Sequence, residues 1–389
     1  MEILEEFQIK YNEIYPCETA IYWAKQHLYD IWPELKEYEN SICVISATLG
    51  HPQFWKRKAE NIVEEIRHEY SLGKKNFIFQ CLDEGVAMSN IYQIHDVSTL
   101  LQDILPKISM IYATGAYDGG TVYKEICKTH GLPEIIKVIS GCNFEKNSKH
   151  FKNHASEYEP GSRIKKFLSF NKEMRQHRVT LFEEMLRLNL VDETYYSFYI
   201  EPQNLKRLSM EPNRYSNIIK NKDRLPLELN RSTIRNNPAD VQADDIKYFS
   251  NTYFSVVTET LYYNTTRDKR YSYYNVPEIF GIFPSEKIFK CLALNHPFIV
   301  VSTSGFLQAL RDKGYKTFAP YIDESYDAIT DDNQRMDAIV SEINRLCNLS
   351  EQELIQFTHD IKKIVEHNSS HLTNTTDFRI TKNIVNILK

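Results

Sequence analysis

The sequence predicts an α/β protein built from two doubly wound halves, and three observations carry that expectation. Strand-length apolar runs alternate with helix-spaced segments along the chain, the order of parallel sheets covered on both faces. The 389 residues exceed what one hydrophobic core ordinarily serves, so two domains are expected. From Phe283 to Asp327 the chain reads FPSEKIFKCLALNHPFIVVSTSGFLQALRDKGYKTFAPYIDESYD: a helix, a buried strand, a small-residue turn and a second helix, whose order places ligands at the carboxyl edge of a sheet.

In the first half, SICVISATLG (41–50) alternates into a strand and FWKRKAENIVEEIRHEY (54–70) has helical spacing. NFIFQCLD (76–83) is a second strand, and VSTLLQDILPKI (97–108) is expected to be a helix. SMIYATGAYDGG (109–120) reads as a third strand ending in a glycine loop, and EIIKVISG (134–141) as a fourth. The second half begins near Ser162 with RIKKFLSFN, then a helix HRVTLFEEMLRLNL and strands TYYSFYI and FSVVTET (254–260). From Met336 onward the pattern is helical, including EQELIQFTHDIKKIVEH.

Ser285 is expected to N-cap a helix running to about Leu294, with Glu286, Lys287 and Lys290 in its first turns. Unpaired N–H groups at that helix start, together with Lys287 and Lys290, suit a phosphate or diphosphate. HPFIVV then reads as a fully buried strand, and FLQALRDKG as a short helix stopped by Gly314.

Composition sets limits. Hydrophobic residues make up 42% and charged residues 25%, ordinary for a globular protein. No apolar run reaches membrane-spanning length, and the acidic, interrupted start MEILEEFQIKYNEIY is unlike a signal peptide, so a cytoplasmic location is expected, the host cytoplasm if the source is viral. Seven cysteines (Cys17, Cys43, Cys81, Cys127, Cys142, Cys291 and Cys347) lack metal-ligand or disulfide spacing and are expected to be buried thiols. The net charge is −5, yet Lys146 to Arg235 holds 18 Lys and Arg against 11 Asp and Glu. That basic middle either clamps an anion, contacts nucleic acid or forms a solvated insertion.

The SEK helix start, the following lysine, HPFIVV, the glycine and leucine pair, GYKTF and DESYD resemble the carboxyl-terminal, sugar-nucleotide-binding half of a glycosyltransferase family found in bacteria, phages and giant viruses. The pattern is also distantly similar to that of α1,3-fucosyltransferases, in which an acid and a lysine open a helix before a strand. KKFLSFNKEMRQHR (165–178) is similar to that family's strand followed by an asparagine and clustered arginines. Together these segments cover roughly the last two-thirds of the chain. The resemblance implies a GT-B architecture of two Rossmann-like domains facing a cleft. Residues 1–160 would form the acceptor domain, 161–360 the donor domain, and 361–389 a helical segment crossing back. It implies a nucleotide-sugar donor as co-substrate, no metal, and a glycan or lipid-linked acceptor. Two alternatives stand beside it: a phage-type enzyme acting on 5-hydroxymethylpyrimidine bases in DNA, which would take the base out of the stack, and a non-catalytic nucleotide-sugar or carbohydrate-binding protein.

Transfer without a metal leaves a diphosphate's charge to helix starts and cationic side chains. Arg175, Arg178 and Lys287 are the first candidates. Arg175 and Arg178, three apart, either form a two-pronged phosphate clamp on one helix face or pair with Glu183 or Glu184. Asn171 either bonds a phosphate or caps the next helix; His177 is either a ligand contact or an ordinary surface residue, the latter preferred. Glu259, at a strand tip, is expected to bind a ribose or sugar hydroxyl, with Glu286 acting similarly or orienting Lys287. Asp323, Glu324 and Tyr326 are expected to close the cleft or, alternatively, to pack and be solvated. For the acceptor base, the strand-end candidates are His51, Asp83, Glu84 and Asp118. Asp118 is preferred among them because flanking glycines allow close approach, though a plain Asp-Gly turn explains it more simply.

Overall fold

A computed structural model describes residues 28–29, 33–47, 57–142, 144, 145, 148, 158–171, 174–200, 202–225, 227, 229, 243–263 and 279–374. The chain divides into two units. One takes the described residues up to 145 together with 279–283, and the other takes the remainder.

The first unit holds a parallel sheet of β1 (Ile42–Ser46), β2 (Asn76–Cys81), β4 (Ser109–Thr114) and β5 (Lys137–Ser140), in that order. Apolar side chains project from both faces because each face is covered. Ile62, Ile66, Ile91 and Ile94 pack with Phe77, Phe79 and Tyr112, while Leu28 and Leu35 pack with Val44, Ile78 and Ile111. The first set rides on α1 (Ala59–Ser71) and α2 (Met88–Leu100). The helix expected over 97–108 instead ends at Leu100. Pro106, which lacks an N–H, sits in a 3₁₀ turn at Leu105–Lys107. The true helix begins at Met88, and its nearly all-round burial blurs the amphipathic period that would have revealed it.

After β4 comes α3 (Gly119–His130), closed by Gly131 in the left-handed region at φ 65°. A short strand β3 (Val86–Ala87) pairs antiparallel with β9 (Ile279–Phe280), which threads a late segment of the chain into this unit.

The second unit centres on a parallel sheet ordered β10 (Phe298–Val301), β8 (Thr252–Thr258), β6 (Lys165–Asn171) and β7 (Tyr195–Phe198). β8 is buried along its whole length, as a central strand covered on both faces must be. Its helices are α4 (Gln176–Arg187), α5 (Pro202–Leu208), α6 (Ser216–Lys220), α7 (Ala243–Ser250), α8 (Glu286–Ala293), α9 (Phe306–Asp312), α10 (Asp332–Cys347) and α11 (Glu351–Asn374). α11 stays with this unit, its Ser369 hydroxyl bonding the Ala293 carbonyl at 3.2 Å. Of the segment 361–389 expected to cross back to the first domain, 361–374 lie in α11 and 375–389 lie outside the described residues.

Both units are thus Rossmann-like, as the alternation of elements predicts. The six described cysteines are free and buried, and among the described residues no helix is long and apolar enough to cross a membrane.

Candidate functional site

In a parallel sheet flanked by helices the strand carboxyl ends meet helix amino termini, and ligands collect there. In the second unit that edge is organised around the tip of β8. The carbonyls of its last residue, Thr258, and of the four residues that follow it to Tyr262 lie where the ladder ends, so they require other donors.

Side chains supply all five. Arg178 Nη2 donates to Thr258 O at 3.2 Å and Glu259 O at 3.4 Å, and His177 Nε2 lies 3.0 Å from Glu259 O. Arg175 Nη1 donates to Thr260 O at 3.0 Å, Ser302 Oγ to Leu261 O at 3.1 Å, and Arg335 Nη2 to Tyr262 O at 2.6 Å. A carbonyl only accepts, so His177 carries its proton on Nε2. His177 is buried at 2% exposure rather than lying on the surface, stacked on Tyr262 with ring centroids 5.3 Å apart. Burial, then the charges of Arg178, Arg175 and Lys287, push its pKa well below the ordinary value. Arg175, Arg178 and His177 therefore hold adjoining carbonyls of one strand tip.

Arg175 and Arg178 do not share a helix face. Arg175 is the N-cap residue of α4 and Arg178 lies in its first turn, yet both reach the same strand tip. The expected alternative partners are occupied elsewhere: Glu183 accepts from the Asn217 and Ile218 N–H groups, and Glu184 pairs with Arg187. Arg178 is buried and braces the tip. Arg175 is half-buried, and its Nε has no hydrogen-bond partner among the described residues.

α8 brings the second set of groups. Ser285 is its N-cap, as predicted. Its hydroxyl donates to Glu259 Oε2 at 2.5 Å, and its backbone N–H to Oε1 at 3.2 Å. Lys287 Nζ lies 2.9 Å from Ser285 Oγ and 2.9 Å from Glu286 Oε1. Glu259 has no exposed surface. Its carboxyl ties the β8 tip to the α8 start. Burial raises its pKa against the pull of Lys287 and Ser285. Burial also works to raise the Glu286 carboxyl, but Lys287 and Lys290 outweigh it and hold that group below its ordinary value. Glu286 thus orients Lys287, one of its two expected roles. Lys287 and Lys290 are half-buried.

Other candidates have structural partners. Asn171 is buried, accepts from Thr258 Oγ1 at 2.6 Å and donates to Ser169 Oγ; it neither caps α4 nor faces solvent. In the DESYD segment Tyr326 and Asp327 are buried and Asp323 is exposed. Tyr326 is buried with its hydroxyl 3.3 Å from Val300 N, Glu324 accepts from Phe318 N and Arg311, and Asp323 accepts from Ser325 N. Asp327 fills the start of α9, accepting from Leu307 N and Gln308 N. In the first unit, Asp118 Oδ1 accepts from Ile282 N at 2.7 Å and Tyr117 N donates to Ile282 O at 2.8 Å. Burial raises the Asp118 pKa while the Ile282 N–H opposes that. Asp83 and Glu84 lie in the turn after β2; His51 lies outside the described residues.

Two members of the cluster were not anticipated from sequence. His177 reads as a ligand contact or a surface residue rather than a buried one, and Arg335 stands just before the segment read as helical from Met336. Among the described residues no group of three or more His, Cys, Asp or Glu is arranged to hold a metal ion.

No protein-family model and no curated protein matches the chain. Among solved structures, a UDP-forming α,α-trehalose-phosphate synthase from Burkholderia xenovorans is similar at 9% identity and a TM-score of 0.44, over 91% of this chain and 76% of that one. A likeness of that degree carries no argument about what this chain does.

Proposed function

We propose that the protein is a nucleotide-sugar-dependent glycosyltransferase of GT-B type, with its donor at the carboxyl edge of the second sheet. The observation that supports it is that Arg175 and Arg178 both bond the β8 tip while Lys287 bonds Ser285, which is itself tied to Glu259 at that tip, beside two helix starts. Such a cluster favours a di-anion, and it stabilises a nucleoside diphosphate more as the glycosidic bond breaks and charge grows on the leaving oxygen. Arg175 and Lys287 contact the diphosphate; Arg178 and His177 keep the strand tip in place. Charge neutralisation in this scheme comes from side chains and helix starts, without a metal. Asp118 is the proposed acceptor base, its raised pKa being a shift in the direction a base working near neutral pH requires.

The acceptor is a glycan or lipid-linked hydroxyl. The DNA-modifying reading draws on the exposed cations Lys206, Arg214, Lys220, Lys222 and Arg224 around α5 and α6, and predicts salt-sensitive DNA binding.

A thermal-shift series with UDP-, GDP-, CMP- and dTDP-sugars tests the donor site. One donor is expected to stabilise the wild type saturably, by an amount set by its concentration over Kd. Arg175→Ala and Lys287→Ala should each abolish that shift. Indifference of the wild type to every donor refutes the reading, and donor binding without any donor hydrolysis or transfer would point to the binding-protein alternative.

A further inference from the structure

We propose that Arg335 is a positioning residue of the donor site, acting through Tyr262 on His177 and the β8 tip. This inference rests on the transferase reading above and assigns a role to a residue that touches no ligand.

Arg335 lies in the first turn of α10 and is only 1% exposed. Its five N–H groups face five oxygens. Nε donates to Ser302 O at 3.1 Å; Nη1 to Ile329 O at 2.9 Å and Thr330 O at 3.4 Å; Nη2 to Tyr262 O at 2.6 Å and Asp332 Oδ1 at 2.6 Å. One guanidinium therefore fixes the end of β10, the loop after β8 and the approach to α10. Its planar fork is what permits this; a lysine ammonium has three donors and no fixed plane.

The link to the site is Tyr262. Its ring lies 4.6 Å from the Arg335 guanidinium carbon and is stacked at 17° on His177, and its hydroxyl donates to Asp332 O at 2.5 Å. His177 in turn bonds Glu259 O, the carbonyl shared with Arg178. A buried ion pair is a weak source of stability, since desolvation offsets its attraction. The placement of this one is specific: every partner except Asp332 is a backbone carbonyl of a loop at the carboxyl edge of the sheet. Displacing Tyr262 releases His177 from its stack, and the tip that Arg175 and Glu259 share then loses its register.

The test uses the full-length protein with Arg335→Lys, Tyr262→Leu and their combination. Arg345→Lys, on the same helix, is the control. The readouts are UDP and GDP affinity by calorimetry and the ¹⁵N imidazole signals of His177. Each single variant is expected to weaken the nucleotide that wild type binds by at least about tenfold and to shift His177 away from its Nε2–H signature. The double variant should be no weaker than the worse single, because both act through one contact chain. A purely structural role would lower the unfolding midpoint but leave the affinity and the His177 signature at wild-type values, and that result overturns the proposal. If Arg335→Lys fails to fold, Tyr262→Leu decides by the same criterion. If wild type binds neither UDP nor GDP, the His177 signature alone decides: unchanged in Tyr262→Leu, it overturns the positioning role; shifted, it supports that role while the donor reading is judged separately.

Discussion

Replacing Ser285 by alanine removes three interactions: the N-cap of α8, the 2.5 Å bond to Glu259 Oε2 and the 2.9 Å contact with Lys287 Nζ. Loss of the cap costs about 1 kcal/mol. Loss of a donor to a fully buried carboxyl costs about 2 kcal/mol more, since water cannot replace it. The Lys287 contact is partly exposed and adds little. Ser285→Ala should therefore destabilise the second unit by about 3 kcal/mol. Glu259→Gln keeps one oxygen to accept the Ser285 N–H and should cost about 1 kcal/mol. The two groups share a bond, so the double variant should fall short of the sum by about 1 to 2 kcal/mol. The three tryptophans, Trp23, Trp32 and Trp55, all lie in the first 55 residues, so urea unfolding followed by far-ultraviolet circular dichroism is the suitable assay. Additivity within about 0.5 kcal/mol would refute the clamp between β8 and α8.

Acid should destabilise the protein before its carboxylates protonate. His177 and His296 are buried and neutral, and burial lowers both, His296 to about 4 from 6.5. The unfolded chain then binds protons that the folded chain refuses, so stability present above pH 6.5 is lost as pH falls toward the folded values, by about 3 kcal/mol for His296 alone; a urea midpoint unchanged between pH 7 and 5 would contradict this. Asp118→Ala should cost the first unit about 1 to 3 kcal/mol through the lost Ile282 anchor, and Asp118→Asn less than about 1. If Asp118 is also the base, Asp118→Asn lowers turnover by about 10²-fold or more with the fold intact. Gly314→Ala should lose about 2 kcal/mol in thermal unfolding, because φ is +95° and the added Cβ would stand 2.7 Å from the His371 ring.

Strands and helices flanking the second sheet's carboxyl edge were legible because local chemistry determines them. A serine followed by Glu286 and Lys287 opens α8 by satisfying its own first turn, and Phe298–Val301 reads as a buried strand from its apolar run alone. The helix-start positions of Arg175, Arg178 and Lys287 were legible for the same reason, since they stand where strands give way to helices. Their partners were not. Glu259 is a buried clamp bonded by Ser285, Tyr326 is buried, one of its two expected places, and His177 is stacked under Tyr262 rather than at the surface.

Sequence by itself determined two α/β halves, the helix starts and a concentration of cations near them, since each follows from periodicity and capping within a few residues. Only the tertiary structure decided which side chains hold the β8 tip. Its five carbonyls draw donors from residues 175, 177, 178, 302 and 335, and pairing across such separations is set by packing, which no local pattern encodes.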